Sequence, residues 1–147
     1  TFDPLVRRNA VFNLAKLGAT ASRYLENVYG SMVDSLNGGQ ESDRLWVEWD
    51  LSSPRVAAAA DGRGGPVDDA GLPALVDIAA DGSPVLGDQA AGIGGVVRLP
   101  PDIESLRLTS PELARQWRLA LRQALSGRLS AGRVVVGVST GHDLVLR

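Results

Sequence analysis

The chain has 147 residues, 44% of them hydrophobic, which is enough for a single domain with a sizeable core. Its formal net charge is −2 with 22% charged residues, which argues against non-specific binding to nucleic acid, and no stretch approaches the ~18 apolar residues of a membrane span. There is no Cys and one His, His142, so a disulfide framework, a thiol nucleophile and a multi-His metal site are all excluded.

The basic residues are nearly all Arg, with Lys16 the only Lys. Together with abundant Ala and Gly, this pattern fits coding bias in a GC-rich bacterial genome. The chain starts at Thr1, with no Met, basic segment or apolar segment of a secretory signal, so a cytoplasmic location is expected. A start without Met is that of a processed chain, an excised piece or a chain with further residues upstream.

In chain order, the first expected element is a helix over 4–17. Asp3 suits the N-cap and Pro4 the first helical position. Ala10, Leu14 and Leu17 recur at helical spacing, Val6 and Val11 flank them, and Gly18 suits a left-handed C-terminal cap. Residues 19–29 read as a strand carrying Tyr24 and Tyr29. Residues 30–43 read as a loop. Residues 44–51 alternate, with Leu45, Val47, Trp49 and Leu51 on one face and Arg44, Trp46, Glu48 and Asp50 on the other, which predicts a strand with Trp49 in the core.

Ser53-Pro54-Arg55 opens a short capped helix through Ala60. Residues 61–73, rich in Gly, Pro and Asp, form a loop. Residues 74–80 and 84–87 pair as strands around the turn Asp81-Gly82. Val96 to Leu99 is a short strand ended by Pro100-Pro101. A second amphipathic helix runs over about 111–126, with Ser110 as N-cap and Leu113, Trp117, Leu121 and Leu125 every four residues. Strands follow from Arg133 to Val138 and from Asp143 to Arg147, joined by a turn that holds His142. The expected fold class is α/β or α+β, a mixed and mostly antiparallel sheet with two main amphipathic helices.

Several stretches carry a resemblance: Thr1-Phe2-Asp3-Pro4-Leu5, Arg8-Asn9-Ala10, Asn13-Leu14, Lys16-Leu17-Gly18-Ala19, Tyr29-Gly30 and Ser42-Asp43-Arg44-Leu45-Trp46-Val47-Glu48-Trp49. Together they resemble the late motif of the Gcn5-related N-acetyltransferase (GNAT) superfamily, and more narrowly a group of larger predicted acetyltransferases within it. In that motif a strand leads into a helix with an Asn and a small residue near its start, and a strand follows. The resemblance covers 1–51 well, 110–138 loosely and 52–109 hardly at all. It divides the chain into a GNAT-like part, 1–51, and a C-terminal extension, 52–147.

The resemblance implies the second half of an acyl-CoA N-acyltransferase fold, with acetyl-CoA or another acyl-CoA as co-substrate and no metal. The superfamily's pyrophosphate-binding turn precedes the late motif, so it is expected upstream of Thr1 or on another chain. Gly92-Ile93-Gly94-Gly95 comes too late in order and precedes a strand. The Tyr that often protonates the departing thiolate falls at Leu14, which has no proton to give. Tyr24 or Tyr29 is then the substitute, or solvent is, or the chain as given is not catalytic.

Amide formation also needs a base and a polarised thioester carbonyl. Glu48, Asp50 and Asp43 are the candidate bases, with Glu48 foremost; the plain alternative is a solvated strand face. Arg8, Asn9 and Asn13 are the cofactor-binding candidates, since this helix start lies beside the CoA arm in the resembling family; the plain alternative is a polar helix face. Asp43-Arg44 is expected to anchor the loop before its strand. Trp46 lines a groove or covers a neighbouring helix, and Trp117 belongs to the core.

Three functional readings follow. In the first, the chain is the C-terminal part of an N-acyltransferase acting on a small-molecule amine or a peptide amine, with a homodimer as a further option. In the second, it is a non-catalytic interaction or dimerisation domain without the cofactor loop. In the third, a free Thr1 serves as its own base and nucleophile in a hydrolase.

Overall fold

The computed structural model describes residues 1–30, 41–88, 90, 92 and 94–147. It is an α+β fold, and its described strands form one seven-stranded sheet. The strands are β1 (Thr20–Leu25), β2 (Arg44–Glu48), β3 (Ala74–Ile78), β4 (Pro84–Leu86), β5 (Gly95–Val97), β6 (Val135–Val138) and β7 (Leu144–Leu146). Their order across the sheet is β2-β1-β6-β7-β5-β3-β4, and every neighbouring pair is antiparallel except β3 with β5. Phe2 adds an antiparallel bridge to β2, exchanging both backbone hydrogen bonds with Leu45 at 3.1 and 2.8 Å.

The expected helix over 4–17 is replaced by two pieces. Pro4 and Leu5 form a turn, α1 spans Arg7–Ala10, and a π-helix continues over Val11–Lys16. Leu17 N–H reaches back to Phe12 and Ala19 N–H to Asn13, so the chain is wound more widely than the α spacing implied. Ala10 and Leu14 are fully buried, as the spacing required, and Gly18 ends the helix at φ 73°. Asp3 is not the cap of α1, whose N-cap is Val6. One Asp3 oxygen accepts the Leu5 N–H at 3.0 Å, and the carboxylate otherwise serves the arginines described below.

The strand expected over 19–29 stops at Leu25, which leaves Tyr29 outside it, exposed, with its ring 5.1 Å from the Arg44 guanidinium. Of the loop expected at 30–43, residues 31–40 lie outside the described residues. The strand expected over 44–51 ends at Glu48. Leu45 is buried, but Trp49 is 52% exposed and Leu51 69%, because the chain turns away before reaching them. Trp49 is thus not a core residue; its Nε1–H donates to Leu17 O at 3.0 Å and lies over the end of the π-helix. Trp46 is also exposed and stacks under Arg23, 4.2 Å from the ring centroid.

The second half follows the sequence pattern more closely. α2 (Pro54–Ala60) is capped by Ser53, whose hydroxyl accepts Val56 N–H. The β3–β4 hairpin turns at Asp81-Gly82, where Gly82 has φ 83°. An additional helix, α3 (Ile103–Thr109), follows Pro100-Pro101 and is capped by Asp102. α4 spans Pro111–Ser130 and buries Ala114, Trp117, Leu121, Ala124 and Leu125 against β1, β3 and β4. Trp117 is fully buried, and its indole N–H donates to Gly82 O at 3.0 Å, which fixes the hairpin turn on the helix.

The buried Asp3 carboxylate joins the first segment to α3 and α4. It accepts from Arg107 at 2.6 Å and from two nitrogens of Arg118 at 3.0 and 3.1 Å. Burial alone pushes this carboxyl up, but the two guanidinium groups outweigh it and hold Asp3 below the usual carboxylate range.

Because the folded value is depressed, this contribution to stability is complete above the unfolded value near 4 and is lost as pH falls through the folded value. Asp3→Ala leaves two buried arginines without their anion and is expected to cost about 3–5 kcal/mol. Urea titrations of both proteins between pH 7 and pH 2 check this: the gap between them should narrow as the medium becomes more acid.

Candidate functional site

Two cavities lie along the helix that the first segment forms. A cavity of about 850 Å³ lies beside α1, lined by Arg7, Arg8, Asn9 and Phe12 on one side and by Asp102 and Glu104 of the α3 start on the other. A second cavity of about 530 Å³ lies beside the π-helix, between Val11 and Ala15, the α2 end with the glycine loop at 62–65, and the β6–β7 turn. Val11, Lys16 and His142 line both, so the two form one groove.

The groove walls are held by backbone-directed contacts. A helix end leaves carbonyls without partners. Arg55 of α2 supplies them, donating Nη2–H to Leu14 O at 2.7 Å and Nε–H to Gly18 O at 2.9 Å. Burial lowers the Arg55 pKa from its ordinary value. Gly64 then closes against the same helix: a Cβ there would lie 2.6 Å from Ala15 O and 3.1 Å from Ala59 Cα. Only a residue without a side chain fits, so the loop at 61–73 is seated on the π-helix at this point. Across the groove, the β6–β7 turn places His142 at φ 64°, with its N–H donated to Ser139 O at 3.0 Å.

Of the cofactor-binding candidates, Arg8 and Asn9 line the larger cavity together. Arg8 is exposed and forms a two-pronged pair with Glu104 across it. Asn13 does not line either cavity; its side-chain amide donates to Asn9 O at 2.9 Å and ties the helix to itself. Arg7, which was not singled out from the sequence, also lines the larger cavity and holds Leu99 O and Asp143.

The catalytic candidates are elsewhere. Tyr24, Tyr29 and Glu48 belong to the β1–β2 region, and none lines either cavity. Tyr24 O–H donates to Asp43 at 2.7 Å; burial first, and the Asp43 charge second, raise its pKa well above the ordinary value. Its proton is therefore held rather than offered. Glu48 accepts from Ser22 on the exposed strand face. Asp50 accepts from the N–H and O–H of Ser52 and closes a turn.

Asp43 anchors its loop as expected. Fully buried, it accepts from Tyr24, from Asn27 N–H at 3.0 Å and from Arg122 at 2.8 and 3.0 Å. Burial raises its pKa, and the hydrogen bonds from Arg122, Tyr24 and Asn27 more than reverse that, leaving it below the usual range. Among the described residues, no group of His, Asp and Glu could hold a metal ion. Nor, among the described residues, is any helix long and apolar enough to cross a membrane. No family model matches the chain, and neither a curated protein nor a solved structure does.

Gly64→Ala is expected to destabilise the fold by about 1–3 kcal/mol, since backbone atoms of Ala15 and Ala59 must part to admit the methyl group. Thermal melts report the loss, and amide exchange rates should rise in the π-helix and the 62–66 loop before other regions. Tyr24→Phe withdraws a donor from buried Asp43 and should cost about 1–3 kcal/mol. In that variant Asp43 should titrate at a higher pH, as followed by carboxyl carbon NMR.

Proposed function

We propose that the chain contributes the later half of a GNAT-like N-acyltransferase, in which acyl-CoA donates an acyl group to a small-molecule amine or a peptide amine. The observation that carries this reading is the succession of the Phe2 bridge, the helix and β1, with Arg8 and Asn9 together on one large cavity. Phe2 bridges to β2, the helix follows at once, and β1 returns beside β2. The resemblance read from 1–51 requires that order.

The residues of the cavity suit the arm of a phosphorylated co-substrate. Arg7, Arg8 and Lys16 place three cations on it against Asp102 and Glu104. The Asn9 side-chain amide offers both a donor and an acceptor to an amide-bearing chain. The transfer itself forms an amide bond from the amine nitrogen and the acyl carbon, breaks the thioester and leaves the thiol with one proton. Tyr24 is bound to Asp43 and Tyr29 lines neither cavity, so solvent supplies that proton. A cytoplasmic setting and a homodimer are consistent with this role.

The position of Tyr24, Tyr29 and Glu48 away from both cavities favours a second reading, a non-catalytic interaction domain of the same fold. Calorimetric titration with acetyl-CoA separates the two. Binding that weakens about tenfold in both Arg8→Ala and Asn9→Ala supports the acyltransferase reading. A folded chain that takes up no acetyl-CoA supports the interaction domain.

A further inference from the structure

The smaller cavity differs in chemistry from the larger one. Its walls are apolar where Val11, Ala15, Pro66 and Val138 line it. No carboxylate lines it among the described residues, and Lys16 is the one Lys or Arg in its lining. Lys16 is exposed at the junction of the two cavities and forms no ion pair among the described residues, in contrast to Arg7 and Arg8 beside it.

The remaining polar lining is rich in donors. Ser139 is only 1% exposed, and its Oγ accepts the N–H groups of Gly141 and Asp143 at 3.2 and 3.3 Å. With its acceptor capacity used in this way, the hydroxyl hydrogen is left to donate. The Thr140 hydroxyl and the His142 ring stand on the same turn. A concave, mostly apolar site with a few convergent polar groups is the common form of a small-molecule pocket, and its volume lies in the usual range.

We infer that this cavity binds a small amphipathic anion: an apolar body against Val11, Ala15 and Val138, and a carboxylate or phosphate head on Lys16 and the donors of the β6–β7 turn. The inference does not depend on acyl transfer: of the proposed CoA contacts it shares only Lys16, and its other contacts, Ala15, Val138, Ser139 and Thr140, line the smaller cavity alone. The absence of a lining carboxylate sets the sign of the ligand. The apolar wall sets the need for a hydrocarbon portion beyond the anion.

Three probes of one chain length test it on the whole chain by NMR chemical-shift titration: hexanoate, hexyl phosphate and hexylammonium. Binding of hexanoate or hexyl phosphate, with shifts centred on Val11, Lys16 and Ser139 and none from hexylammonium, is the expected result; which anion binds more tightly assigns the head group. Lys16→Gln should weaken the preferred anion about tenfold, and Val11→Phe should abolish its binding by filling the apolar end. Lys16 is a surface side chain, so its variant keeps the test valid if Val11→Phe does not fold. Hexylammonium binding as tightly as the anions, an unchanged affinity in Lys16→Gln, or no response to any probe up to about 10 mM overturns the inference.

Discussion

A single carboxylate, that of Asp3, fixes where the first segment of this chain sits. It lies buried between Arg107 of α3 and Arg118 of α4, and it turns back on itself to hold the Leu5 amide. Two buried guanidinium groups on one carboxylate leave an excess of positive charge, and an isolated buried charge is costly. The second carboxylate of the interior relieves it. Asp43 lies near enough to act on Arg118, and it is itself bound by Arg122, which also reaches Glu41. Arg107 of α3 and Arg118 and Arg122 of α4 thus face Asp3, Asp43, Glu41 and Glu26. Such networks often add little net stability, because desolvation offsets attraction. What they do here is fix position: neither the turn before α1 nor the loop before β2 can slide without stranding a charge.

The groove follows from that placement. With Asp3 and Leu5 held, the helix that begins at Arg7 has its direction set, and the wider π winding brings Lys16 and Gly18 to the α2 end. Arg55 accepts responsibility for two helix carbonyls, Leu14 O and Gly18 O, and Gly64 allows the following loop to rest on Ala15 O. Three separate elements therefore meet at one helix end, with Leu14 O and Gly18 O both satisfied by Arg55. The His142 turn completes the wall from the middle of the sheet, through the β6–β7 hairpin beside β1. The cavities are the space that this arrangement leaves over, shaped by backbone contacts more than by large side chains.

The sheet and α4 were legible because their signals are long and local. α4 repeats its apolar residues over the whole Leu113 to Leu125 interval, and the β3–β4 turn carries an Asp-Gly pair. The first helix was not, because the spacing of Ala10, Leu14 and Leu17 fits either winding over so short a run; what distinguishes a π-helix is the bond from Leu17 N–H to Phe12 O. α3 had a readable start in Asp102, with the Ser105 amide three residues on, but two prolines drew attention to an ending. Trp49 misled for another reason: alternation states which residues share a face, and says nothing of where the sheet ends. Arg8 and Asn9, neighbours in the chain, both line the larger cavity. Lys16, His142 and Ser139 did not show themselves as a group, since 123 positions separate Lys16 from Ser139 and only the pairing of β6 with β1 brings their elements near.

The preference for Arg, which composition alone assigned to coding bias, acquires a physical role at particular sites. Arg118 presents two nitrogens to the two oxygens of Asp3, and Arg122 does the same for Asp43. Arg55 spans two carbonyls four residues apart with one planar fork. An ammonium group has no fixed pair of donors at such spacing and is more strongly hydrated, so Lys at these positions would lose one bond and cost more to bury. The single Lys stands where those properties are of use, exposed at the mouth of a cavity and outside the described ion pairs. Genome composition can account for how many arginines there are; it does not account for which of them are buried in forked contact, nor for the Lys16 ammonium at the groove, which has no ion pair among the described residues.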